Sequence, residues 1–134
     1  MKPQYLLLSA ALMLLTGVDT ALAYGSSSSA SSCHKPVFSE FQPAPNKYIQ
    51  SFREFSFIAS SNTVHTSLQV TVSAGQNKEH FSAKQLEVTQ KKSGQFEVEG
   101  KIDRPFQHGF VRVSVTAHSK PGCEQTEGYL LRVQ

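Results

Sequence analysis

Val111-Arg-Val-Ser-Val-Thr-Ala-His118 alternates apolar and polar residues without a break. Successive side chains of an extended chain point to opposite faces, so this stretch predicts a strand with Val111, Val113, Val115 and Ala117 turned inward. The same period of two recurs on both sides of it. Downstream, Tyr129, Leu131 and Val133 alternate with Leu130 and Arg132. Upstream, Phe96 and Val98 alternate with Glu97 and Glu99, Leu86 and Val88 with Glu87 and Thr89, and Leu68, Val70 and Val72 with Gln69, Thr71 and Ser73. Phe55, Phe57 and Ala59 alternate with Glu54, Ser56 and Ile58, and Val37-Phe38 opens a first short strand that Pro43 and Pro45 end.

Turn chemistry separates these segments: Pro43-Ala-Pro-Asn46, Ser60-Ser-Asn62, Ala74-Gly-Gln-Asn77, Ser93-Gly94 and Lys120-Pro-Gly122. Short strands at intervals of roughly 8–12 residues, each apolar on one face, predict an antiparallel β-sandwich. Seven or eight strands are expected, with no substantial helix and no internal repeat. The inward set should be Phe55, Phe57, Leu68, Val70, Val72, Leu86, Val88, Phe96, Val98, Val111, Val113, Val115, Leu131 and Val133. A slip of one residue would turn each strand's set to solvent, so burial of Arg112, Ser114 and Thr116 would reverse the register.

The segments Phe96-Glu-Val-Glu-Gly100, Gly109-Phe-Val-Arg-Val-Ser-Val-Thr-Ala117 and Tyr129-Leu-Leu-Arg-Val133 resemble the closing strands of bacterial Ig-like and fibronectin type III-like (early-set) domains. Pro36-Val-Phe-Ser-Glu-Phe-Gln-Pro43 is similar to their first strand. The resemblance implies an Ig-like sandwich across the whole exported domain. The chain departs from antibody-type domains in having no Trp and no second mid-strand cysteine. Such folds host adhesins, carbohydrate binders, chaperones, metal carriers and spacers, so the resemblance implies a fold and not an activity.

The N-terminus indicates where the domain works. Lys2 begins a basic n-region, Tyr5 to Leu15 is apolar, and Ala21-Leu-Ala23 fits a signal-peptidase site. The apolar run is far shorter than the roughly 20 residues that span a bilayer, so no stable membrane insertion is expected after cleavage. Residues 1–23 are expected to be a signal peptide, 24–32 (Tyr-Gly-Ser-Ser-Ser-Ser-Ala-Ser-Ser) a flexible tether, and 33–134 the domain. A periplasmic or secreted location follows, where Cys33 and Cys123 should pair. In an Ig-like topology the first cysteine precedes the first strand and the second lies between the last two, which brings both to one pole.

Function is less legible. The net charge of +3 is unchanged when the leader removes Lys2 and Asp19. It is scattered, and Lys91-Lys92 reads as a solvated turn, so nucleic acid is not an expected partner. Asp103 is the one aspartate after the leader, which excludes an aspartate pair, and neither Gly-x-Ser-x-Gly nor a phosphate loop occurs. A non-enzymatic domain is expected. Its favoured role is a binding or accessory module for a protein or cell-surface partner. Arg104, Phe106, His108 and Phe110 are the candidate partner surface; its two aromatics are the pair nearest to exposure, although packing in the core is the favoured reading for them. The alternative is a metal carrier. His34, His65 and His118 all belong at the disulfide pole, and imidazole suits Cu(II) and Zn(II). No cofactor is expected beyond that alternative.

Overall fold

The computed structural model describes residues 33–134. The expected signal peptide and tether lie outside these residues. Nine strands run in chain order: β1 (Phe38–Gln42), β2 (Tyr48–Ile49), β3 (Phe52–Ala59), β4 (Gln69–Ala74), β5 (Asn77–Ser82), β6 (Glu87–Gln90), β7 (Phe96–Phe106), β8 (Gly109–His118) and β9 (Glu124–Val133). They form a four-stranded sheet, β1-β3-β7-β6, facing a five-stranded sheet, β2-β9-β8-β4-β5. All pairings are antiparallel except β2 with β9, where the chain crosses between sheets and joins in parallel through Tyr48 and Ile49. The helical elements among the described residues are two three-residue 3-10 turns, His65–Ser67 and Ala83–Gln85.

The all-β sandwich with one disulfide is the fold that the alternation predicted, in the predicted register. Thirteen of the fourteen expected inward residues are buried, while Arg112 is exposed and Ser114 and Thr116 are intermediate. Val88 is the exception and is half-buried, because β6 is an edge strand with β7 on one side only. Ile58, expected on the solvent face, is also buried. It lies on the central β3, with Ser39 of β1 and Glu97 of β7 directly beside it, so flanking side chains cover an outward position.

The extra strands have physical reasons. β5 carries Asn77-Lys-Glu-His ahead of Phe81, and as an edge strand it needs only that one large inward anchor. β2 is two residues long and is held by main-chain bonds: Arg132 N–H to the Lys47 carbonyl at 3.0 Å and Gln134 N–H to the Ile49 carbonyl at 3.0 Å.

Phenylalanine fills much of the space between the sheets. Phe38 meets Phe57 edge-on at 5.8 Å, Phe55 meets Phe81 edge-on at 5.3 Å, and Phe52 packs on Phe106 at 6.5 Å. Edge-on and offset contacts suit the ring quadrupoles better than stacked faces.

Candidate functional sites at the two poles

Three chain segments meet at the first pole. Cys33 is bonded to Cys123, with their Cα atoms 6.0 Å apart and 90 residues between them in sequence. The His34 carbonyl accepts from Ser119 Oγ at 2.7 Å and from Asn62 Nδ2 at 2.9 Å. Val64 N–H donates to the His118 carbonyl, and His118 N–H donates to Ser67 Oγ, both at 2.9 Å. The three segments that carry the expected histidines are therefore fastened at this pole, His65 through its neighbours Val64 and Ser67.

Their side chains follow separate paths. The His65 ring lies against Phe96, 5.4 Å between centroids, and His34 is exposed. His118 is half-buried, and its Nδ1 is enclosed with no hydrogen-bond partner among the described residues. A buried polar atom left unpaired costs about 1–3 kcal/mol, so this nitrogen needs an explanation. Among the described residues, no three His, Cys, Asp or Glu side chains form a group suited to holding a metal ion. Topology sets where the histidine backbones lie, whereas local rotamers and the Phe96 contact set where the rings go.

The remaining histidines lie elsewhere. His80 is on β5, where Nδ1 is 3.1 Å from Thr71 Oγ1, and His108 is in the β7–β8 turn at the opposite pole.

That opposite pole holds a cleft of about 880 Å³ between the β4–β5 turn and the β7–β8 hairpin. Arg104, Phe106, His108 and Phe110 all line it. The two aromatics play different parts there. Phe110 is 57% exposed, whereas Phe106 is only 9% exposed, packed in the core as favoured for it, and forms the buried floor. Inward residues of β7 are even-numbered through Phe96, Val98, Gly100 and Ile102, and Phe106 keeps that parity. Inward residues of β8 are odd-numbered, which turns Phe110 outward.

Lys78 and Glu79 of β5 and Asp103 of β7 complete a mixed-charge rim. Polar patterning around Asn77-Lys-Glu-His hid that contribution from the sequence. On its far side Phe110 joins a second surface. The Arg132 guanidinium lies 4.9 Å from the Phe110 ring centroid and 5.1 Å from that of Tyr48, and it also hydrogen-bonds the Tyr48 hydroxyl. Such an exposed cation–π pair contributes about 0.5–1 kcal/mol and pins Phe110 in its outward pose.

No protein-family profile and no curated protein matches this sequence. Among solved structures, the chain is similar in fold to PcoC, a methionine-rich copper resistance protein from Escherichia coli. The TM-score is 0.51 and the identity 14%, over 75% of this chain and all of that one. The selenomethionine form of the same protein aligns with a TM-score of 0.47 and 15% identity, over 71% of this chain and 96% of that one. At such identity the likeness concerns the sandwich fold alone.

Proposed function

We propose that this is an exported, non-catalytic carrier of a divalent metal ion, Cu(II) or Zn(II), taken by imidazoles at the disulfide pole. The observation that carries the reading is the His118 Nδ1, enclosed without a partner among the described residues at the pole where the His34 backbone is fastened. An unpaired imidazole nitrogen is the donor such ions prefer. The sandwich shared with a copper resistance protein supports the same reading. That neighbour is methionine-rich, whereas both methionines of this chain, Met1 and Met13, precede the described domain. The donor set here is imidazole, which favours Cu(II) or Zn(II) over Cu(I). His118 would supply the enclosed donor and the exposed His34 the second, while the His65 ring, held against Phe96, is not brought to them. Periplasmic or secreted placement follows from the leader and accords with the disulfide, which requires an oxidising compartment.

Zinc titration followed by imidazole-proton NMR tests this. The His34 and His118 resonances should move together, and His118→Gln should weaken binding by more than the roughly 10–100-fold typical of losing an outer-shell partner of a ligand. Ligation requires neutral imidazole and so competes with protons, and affinity should fall as the solution is acidified. Unmoved His118 resonances at saturating zinc, or equal affinity in His118→Gln, would end the proposal.

A second reading rests on the opposite pole, where the four residues expected to form a partner surface line one cleft. Its volume lies in the range of ordinary ligand pockets, about 300–1,000 Å³. In this reading Phe110 and Arg104 anchor a protein or cell-surface partner. The Arg104→Glu/Phe110→Ser variant should lose at least about tenfold in binding to the surface of the producing cells, with an unchanged melting temperature. Unaltered binding would count against the cleft.

A further inference from the structure

The five-stranded sheet has a long, partly uncovered edge along β9 among the described residues. β9 runs ten residues. On the side away from β8 it is covered only near its C-terminus, where β2 pairs with Arg132 and Val133 and Asn46 N–H donates to the Leu130 carbonyl at 2.7 Å. From Glu124 to Gly128, no strand among the described residues pairs with that side.

The off-edge bonds already made use the Leu130 carbonyl and the Arg132 and Gln134 N–H groups, all on even-numbered residues. Strand parity then points the main-chain groups of Thr126 and Gly128 off the same edge, unpaired. Folded proteins blunt such edges with lysine, proline, bulges or brevity. The other edges of this sandwich are blunted. β1 has a register shift between Ser39 and Gln42, with Glu40 in the left-handed region at φ 50°. β2 has two residues and β6 has four, and β5 carries Lys78 at its exposed start. The Glu-Gln-Thr-Glu-Gly stretch of β9 has no lysine, proline or bulge and is not short; its charges are Glu124, which the pairing below sets beside a cation, and Glu127.

We propose that two copies pair antiparallel through β9, with Thr126 opposite Thr126 on the two-fold axis. This register sets Glu124 of one copy opposite Gly128 of the other. Both positions lie on the outer face of the sheet, where Glu124, Thr126 and Gly128 are exposed. The Arg112 guanidinium reaches over Gly128: a Cβ added there would sit 3.1 Å from one of its nitrogens. The cation therefore occupies the space into which Glu124 of the second copy would project. Charge complementarity thus selects a second copy over an arbitrary extended peptide. Gly128 also lets the neighbouring backbone approach closely. Within the paired stretch from Glu124 to Gly128, Gln125 falls opposite Glu127, so no like charges face each other there. The assembly would carry one continuous sheet through both copies, with the paired stretch beginning beside the disulfide pole at Glu124.

Sedimentation equilibrium of the purified, oxidised protein from about 5 µM to about 1 mM reads the association directly. Dimerisation is expected. Glu124→Arg and Arg112→Glu should each weaken it about tenfold or more, and the double charge swap should restore it. Thr126→Pro, which removes an N–H that points off the edge, should abolish it while thermal melting reports an intact monomer. A monomer throughout the range overturns the proposal. So does a dimer whose affinity is indifferent to both charge reversals.

Discussion

Reduction of the Cys33–Cys123 bridge should lower the unfolding free energy by about 4–5 kcal/mol in the chain-entropy account, for a closed loop of roughly 90 residues. The melting temperature should fall on the order of 20 °C. The bridge spans nearly the whole described domain, from before β1 to the turn before β9. Its loss would release the N-terminal segment from the β8–β9 turn, leaving the His34 carbonyl bonds and the Ser60–Val37 pairing to hold that pole. The sheet should survive. The core cluster from Phe38 to Val133 does not depend on Cys33, and a domain of this size can bury a sufficient core without a cross-link. Far-UV circular dichroism through a urea titration, with and without dithiothreitol, measures both effects. A difference below about 1 kcal/mol would mean that loop closure is not what the bridge supplies. The Cys33→Ala/Cys123→Ala variant should match the reduced protein.

Legibility in the sequence tracked how directly each feature depends on side-chain parity. The register of β8 and β9 could be read residue by residue, because a strand with one wet face must alternate. Ile58 and Val88 departed from the pattern for a reason that parity does not encode, namely whether a strand is central or at an edge. β5 was missed because an edge strand with one inward phenylalanine reads as a polar turn. At the sites, backbone convergence of His34, His65 and His118 followed from topology, but ring positions follow from local packing such as His65 on Phe96. The gathering of Arg104, Phe106, His108 and Phe110 was legible because they are neighbours around one hairpin. The lysine and glutamate facing them from β5 were not, since strand pairing alone brings those residues near.

Gly100 is the position where a single added side chain should do most harm. It occupies an inward place on β7, directly across from Phe55 of β3. The Phe55 ring lies over it so closely that a Cβ would fall 2.2 Å from Cζ and 2.7 and 2.8 Å from the two Cε atoms. A strand glycine marks such a close approach, with the aromatic from the neighbouring strand covering the bare backbone. The ring has no easy retreat. It is 2% exposed and wedged between Phe52 at 6.4 Å and Phe81 at 5.3 Å. Gly100→Val should therefore expel Phe55 from the core and cost about 3–5 kcal/mol, the penalty of losing a buried phenylalanine. Valine's own strand preference offsets at most about 1 kcal/mol of that. A double-mutant cycle tests the cause: once Phe55→Ala has removed the ring, Gly100→Val should cost little, so the two changes combined should be far milder than their sum. Additive costs by urea denaturation would show that Gly100 is required for some reason other than the Phe55 ring.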